Sequence, residues 1–108
     1  MSYRIEYSEQ AKNDLSKIYH YIKDELFAPI AADSTIRHIL YEIQALETFP
    51  FRYPLSERKR EHLLGIRKLT VKNYLVFYLP NQETQTVSVV RVIYSGRDLR
   101  RIVIEPEK

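Results

Sequence analysis

Residues 65–101 read GIRKLTVKNYLVFYLPNQETQTVSVVRVIYSGRDLRR. Three β-rich runs separated by short turns fill this stretch, and basic residues stand at both of its ends. In the first run Arg67, Leu69 and Val71 share one parity, and Ile66, Lys68 and Thr70 the other. Lys72-Asn73 reads as a two-residue turn, with Asn73 tolerating a positive φ. Tyr74–Leu79 is apolar on both parities, the pattern of a central strand covered on two faces. Pro80–Gln85 makes a longer turn, and Thr86–Tyr94 is the last strand. Gly96 breaks the chain, Arg97–Val103 forms a short helix or a final extended segment, and the terminal EPEK reads as a loose tail.

Upstream of this stretch the periodicity changes from two toward that of a helix. Tyr3, Ile5 and Tyr7 alternate with Arg4 and Glu6, which predicts a short strand. Ser8 is placed to cap a helix over residues 9–26, with Glu9 favourable to its dipole. Ala11, Leu15, Ile18, Ile22 and Leu26 form its apolar stripe. Pro29 suits the first turn of a second helix. Ala32, Ile36, Ile39, Leu40, Ile43 and Leu46 carry that helix to Phe49-Pro50, which stops it. Residues 49–65 are irregular, and SERKREH within them is a charged run without an apolar side. They predict an exposed connection with one helical turn near Glu61–Leu64.

The order β-α-α-β-β-β predicts an α+β fold in which a mostly antiparallel sheet packs on a helical hairpin. One face of the sheet is then left partly open as a basic binding surface. With 108 residues the chain makes one domain, 1–108, around a single core. No apolar run reaches the roughly 20 residues of a membrane span. The N-terminus MSYRIEYSEQ lacks an apolar signal core, which predicts a cytosolic (cytoplasmic) protein. The absence of cysteine removes disulfides, thiolate nucleophiles and Cys-ligated zinc. Residues 1–54 carry six Lys and Arg against eight Asp and Glu, whereas residues 55–108 carry eleven against six. The basic half suits nucleic acid or an acidic protein partner, and equally a solvated surface.

Arg67 and Arg91 are the anomalies, because each shares a parity with aliphatic residues. Arg67 reads either as a salt bridge to a helix carboxylate, Glu42 or Glu47, or as an anion-binding group at the mouth of the sheet. Arg91 repeats the dilemma beside Val87, Val89 and Ile93. Arg97, Arg100 and Arg101 cluster after Gly96, and Asp98 among them reads as a cap or an arginine partner. Tyr74, Tyr78 and Tyr94 are sheet-packing residues that also carry phenols able to donate to phosphate. His20 and His38, four residues before Asp24 and Glu42, suggest surface pairing rather than a metal site, and His62 reads as solvated. No phosphate loop, HExxH or nucleophile elbow is present, so no metal or cofactor is expected.

Several of these stretches together resemble the RelE/ParE superfamily of type II toxin–antitoxin toxins. They are the opening strand with SEQAKNDLSKIYHYI, the second helix ending in LETFPFRYPL, and above all GIRKLTVKNYLVFY and VVRVIYSGRDL. The resemblance implies a growth-inhibiting toxin, held in a hetero-oligomer by a cognate antitoxin with an acidic, partly disordered C-terminal segment. It also implies one of two targets. RelE-like members cleave ribosome-bound mRNA and ParE-like members inhibit DNA gyrase. If the chain is a ribonuclease, the candidate catalytic residues are Arg67, Lys68, Arg91, Arg97 and Tyr94. Candidate target- or antitoxin-binding residues are Arg67, Tyr74, Arg91, Tyr94, Arg97, Arg100 and Arg101. Lys68 matches one basic position of the ribonucleases, but Leu75 stands where they carry an arginine and Ile104 about where they carry a tyrosine. The ParE-like side, with gyrase as target, is therefore the expectation. The ribosome-dependent endoribonuclease and a non-toxic basic binding module are the alternatives.

Overall fold

The computed structural model describes residues 2–107. Strand β1 (Arg4–Tyr7) leads into helix α1 (Glu9–His20), which continues as a π-helical turn over Tyr21–Glu25. Helix α2 (Pro29–Gln44) follows and tightens into a 3₁₀ turn at Ala45–Glu47. A second 3₁₀ turn (Pro50–Arg52) and the short helix α3 (Lys59–Leu64) lead to strands β2 (Arg67–Val71), β3 (Tyr74–Asn81) and β4 (Thr86–Tyr94). A last 3₁₀ turn spans Leu99–Arg101. The sheet order is β1-β4-β3-β2; β1 runs parallel to β4, and the other two pairings are antiparallel. The expected α+β architecture with a mostly antiparallel sheet is the one observed.

Local chemistry explains most of the boundaries. Ser8 caps α1 as the sequence implies, its Oγ accepting the Ala11 amide at 2.9 Å, an interaction worth about 1 kcal/mol. The same hydroxyl donates to Val90 O at 2.8 Å, tying the start of α1 to β4. The helix does not run on to residue 26. At Tyr21 it widens, so that the Leu26 amide donates to Tyr21 O, five residues back. The wider turn breaks the apolar register. Leu26, expected in the core stripe, is consequently exposed. Pro29 begins α2 as expected. In the β2–β3 turn it is Lys72, not Asn73, that takes the positive φ. Strand β3 continues through Pro80 to Asn81, beyond the end of β2, where one of its edges is unpaired and proline is tolerated. The Asn81 carboxamide then accepts the amides of Glu83 and Thr84 to close a turn shorter than expected.

A bulge in β4 overturns the parity expected there. Tyr78 pairs with Val89 and Phe77 with Arg91, leaving Val90 as the extra residue. Val87, Val89 and Val92 accordingly join the helix-facing core with Ala11, Ile39, Ile43 and Leu46, while Val90 and Ile93 join the cluster on the opposite face. Arg91 thus shares no continuous apolar row with Val87, Val89 and Ile93.

That opposite face is closed as well, contrary to the expectation of a partly open surface. Ile66, Phe77, Val90 and Ile93 pack there with Ile102 and Ile104 from the C-terminal segment. The EPEK end is docked in its described part: Glu105 pairs with Arg60, and the Glu107 carboxylate accepts the Glu9 amide. The charged connection is exposed at Glu57, Lys59, Arg60 and His62 as expected, but not throughout. Glu61 is 0 % exposed, with Arg58 Nε 2.7 Å from its Oε1. The other guanidinium nitrogens of Arg58 donate to Leu99 O at 2.7 Å and Ile102 O at 2.9 Å. Arg58 therefore clips the C-terminal turn over the sheet. The partial burial of Arg58 cannot be read locally, because the two carbonyls that accept from it lie 41 and 44 residues on.

Candidate functional site

A groove of about 690 Å³ opens between the helical hairpin and the far end of the sheet. One wall comes from α1 and the π turn, through Lys17, Ile18, Tyr21, Ile22 and Leu26. The other comes from Lys72, Asn73 and Tyr74 at the β2–β3 turn and from Val92, Ile93 and Tyr94 on β4, with Arg97 just beyond. The π turn helps to shape this groove, since it brings Leu26 to its lip instead of to the core. Tyr74 and Tyr94 are directly opposite across β3 and β4, with ring centroids 5.9 Å apart in an edge-on arrangement. Burial pushes the Tyr74 phenol above its ordinary pKa, and the neighbouring phenols of Tyr94 and Tyr21 add to the shift. Tyr94 itself is 51 % exposed. Its ring lies across the following turn, where a Cβ on Gly96 would meet Cε2 at 2.6 Å.

The electrostatics of the groove are one-signed at its rim. Asp14 lies at the base, and its charge is taken up by Arg91, with Nε to Oδ2 at 2.7 Å and Nη2 to Oδ1 at 2.9 Å. Among the described residues, Lys17, Lys72 and Arg97 have no ion-pair partner. An apolar trough edged by three free cations suits an acidic amphipathic chain.

The structure separates the residues singled out from sequence into distinct places. Tyr74, Tyr94 and Arg97 meet in the groove. Arg91 is engaged by Asp14 beneath it. Arg67 lies at the other end of β2 and forms no bridge to Glu42 or Glu47. It donates instead to Phe51 O at 3.0 Å and Tyr53 O at 2.6 Å, and its guanidinium stacks 5.1 Å from the Phe51 ring centroid. The reason is proximity: the irregular connection runs alongside β2, with Leu55 bridged to Arg67, and it offers carbonyls before any helix carboxylate is reached. Lys68 is half-buried opposite Phe77 on β2. Arg100 folds back on Asp98, which caps the last turn by accepting the Arg100 amide and holds the guanidinium at 2.9 Å. That contact keeps the Asp98 carboxyl below the usual carboxylate range. Arg101 is exposed beside it.

His20 pairs with Asp24 at 3.5 Å as expected, but His38 does not reach Glu42. His62, exposed as expected, has Nδ1 3.2 Å from Ser56 O. Among the described residues no three His, Asp or Glu side chains gather in a metal-binding group. Lys17, Tyr21 and Lys72 of the groove had no sequence signal, because their meeting depends on the π turn and on how the hairpin leans over the sheet.

The family described as the ParE toxin of the type II toxin-antitoxin system parDE matches residues 5–99. The chain belongs to the ParE toxin family. It is a type II toxin of RelE/ParE fold. Solved structures agree on the architecture of this ParE-family chain. A chromosomal ParDE system from P. aeruginosa superposes with a TM-score of 0.70 at 19% identity, covering 86% of this chain and 96% of that one. A RelBE toxin–antitoxin complex from Mycobacterium tuberculosis gives 0.61 at 20% identity, covering 87% and 99%. An arginine-to-alanine mutant of the E. coli toxin RelE in the free state gives 0.63 at 14% identity, covering 95% and 100%. At these identities the likeness concerns the fold. No curated protein matches the sequence of this ParE-family chain. Among the described residues, no helix is long and apolar enough to cross a membrane.

Proposed function

We propose that this ParE-family toxin arrests growth by binding DNA gyrase, without cleaving RNA, and that a cognate antitoxin restrains it. One observation carries the preference for gyrase. By the resemblance, Leu75 stands where the RNA-cleaving relatives carry an arginine and Ile104 about where they carry a tyrosine. Both belong to the same apolar cluster on the back of the sheet, with Ile104 fully buried. Cleavage needs groups that activate the 2′-hydroxyl, stabilise the phosphate and protonate the leaving oxygen. An aliphatic cluster covered by the chain's own C-terminal segment offers none of them. Of the basic residues that would have to compensate, Arg67 is committed to carbonyls and Arg91 to Asp14. That leaves Lys68 and Arg97, which lie apart, one on β2 and the other beyond the end of β4.

The antitoxin reading rests on the groove. An acidic amphipathic segment would set its apolar side against Ile18, Ile22, Tyr74 and Tyr94, and its carboxylates against Lys17, Lys72 and Arg97. Structural neighbours include a ParDE system and RelBE and RelE–RelB complexes, which supports a partner of this kind. Arg101, on the exposed turn that follows Arg97, is then available for the target, while Arg100 is held by Asp98 and Arg67 and Arg91 serve the fold.

Mapping transcript 5′ ends in cells soon after induction of the toxin without antitoxin tests the choice of target. Unchanged ends together with growth arrest fit the gyrase reading. New ends within codons would establish the ribonuclease, and unimpaired growth would favour a non-toxic binding module.

A further inference from the structure

The outward side of α2 carries a second pattern that neither the core nor the groove uses. Ile30, Ser34, Arg37, Tyr41 and Gln44 follow one another at steps of four, three, four and three, the spacing of a coiled-coil seam. All five are exposed, Ile30 at 85 % and Tyr41 at 73 %, while Ala32, Ile39 and Ile43 on the opposite side are buried. Phe27 extends the stripe at its N-terminal end, 87 % exposed and held at φ +52°. A large aromatic in left-handed backbone is an unfavourable arrangement, and here it presents the ring to the outside. None of these residues lines the groove.

We propose that this stripe is the seam of a homodimer, in which two copies of the chain pack α2 against α2 in antiparallel fashion. The stripe is complementary to itself. A two-fold axis crossing the helix between Thr35 and Ile36 sets Ile30 of each copy beside Tyr41 of the other, and Ser34 beside Arg37. Asp33 then flanks Arg37 of the facing copy, twice over. Within one chain neither Asp33 nor Arg37 has an ion-pair partner among the described residues, although they stand four apart on the helix. The small Ser34 near the centre lets the helices approach, and Arg37 in the seam fixes register at a cost in affinity. Charge balance is what selects a second copy over an acidic partner. The seam and its flank carry one anion and one cation, whereas the rim of the groove carries cations alone.

Sedimentation of the full-length chain over a concentration series tests this directly. The 12.9 kDa chain is expected to double in mass as concentration rises. Tyr41→Asp and Asp33→Arg, both at exposed positions, should each weaken dimerisation more than about tenfold, the order of a lost interface anchor. The exchange Asp33→Arg with Arg37→Asp restores complementarity and should restore the dimer, which a merely damaged helix would not do. Circular dichroism confirms that each variant is folded. A wild-type chain that stays monomeric at every concentration overturns the proposal. So does a dimer indifferent to both single substitutions, or protection of the α2 stripe by the antitoxin. Lys17→Glu, which alters the groove alone, should leave the dimer unchanged, so the seam and the antitoxin site are read separately.

Discussion

Asp14 of α1 holds Arg91 of β4 through both carboxylate oxygens, and its Oδ2 also accepts the Val92 amide at 2.9 Å. Strand β1 pairs with β4 only as far as Val89, so beyond the bulge the edge of β4 would be unpaired. The helix supplies what the missing strand does not: Ser8 takes Val90 O and Asp14 takes Val92 N. With side chains only 8 % and 13 % exposed, the pair is costly to break from one side. Arg91→Ala is expected to destabilise the fold by about 3–5 kcal/mol, because it strands a buried carboxylate. Urea denaturation measures this. A variant as stable as the wild type but inactive would make Arg91 a contact residue instead.

The clip formed by Arg58 predicts a local effect. Removing its side chain frees Leu99 O and Ile102 O and takes from the fully buried Glu61 its ion-pair partner among the described residues. Arg58→Ala should therefore raise trypsin cleavage at Arg100 and Arg101 severalfold and lower global stability as well. Arg58→Lys should rescue little, since an ammonium cannot donate to both carbonyls while standing beside Glu61 as the guanidinium does. Limited proteolysis followed by mass spectrometry reads the cleavage sites. Unchanged protection in Arg58→Ala would show that the apolar contacts of Ile102 and Ile104 suffice alone.

Alkaline pH should expose the role of Tyr78. Its phenol donates to Pro50 O at 2.7 Å inside the core, and burial pushes its pKa up to about 12. The folded chain thus keeps this proton where the unfolded chain loses it. The resulting stability is fully present below about pH 10, and falls as pH rises from there toward 12. The full loss, reached above about pH 12, is about 3 kcal/mol for a shift of that size. Urea midpoints at pH 8, 10 and 11 should decline in the wild type and decline less in Tyr78→Phe, whose baseline is lower for want of the hydrogen bond. Parallel profiles would assign the decline to other groups.

Binding in the groove should be salt-dependent and charge-specific. Lys17→Glu, Lys72→Glu and Arg97→Glu should each weaken the antitoxin's acidic segment, and each should flatten the dependence of its affinity on ionic strength. Gly96→Ala should act without charge, by pushing the Tyr94 ring off its place beside Tyr74. Calorimetric titration at two salt concentrations separates the two effects. Equal affinities across the charge variants would move the antitoxin to another face.

How far the sequence carries depends on the range of the interactions. The Ser8 cap, Pro29 at the head of α2 and the Asp98 turn rest on contacts within a few residues, and the central character of β3 on its own composition, and all are legible. The Arg58–Leu99 and Asp14–Arg91 contacts join residues 41 and 77 apart, and no local pattern announces them. The bulge at Val90 is the sharpest case: a single extra residue inverts the parity of half a strand and changes the meaning of Arg91. Tyr74, Tyr94 and Arg97 were accessible because they end adjacent strands or follow directly on one. Tyr21 was hidden in a π turn that helical periodicity does not reveal, and Lys17 by the way the hairpin leans over the sheet.

The central claim is a choice of target, and supercoiling of relaxed plasmid by purified DNA gyrase tests it most directly. The toxin is expected to inhibit supercoiling at micromolar concentration, and stoichiometric antitoxin to relieve the inhibition. Undiminished supercoiling at that concentration, from folded toxin that binds its antitoxin, would contradict the account.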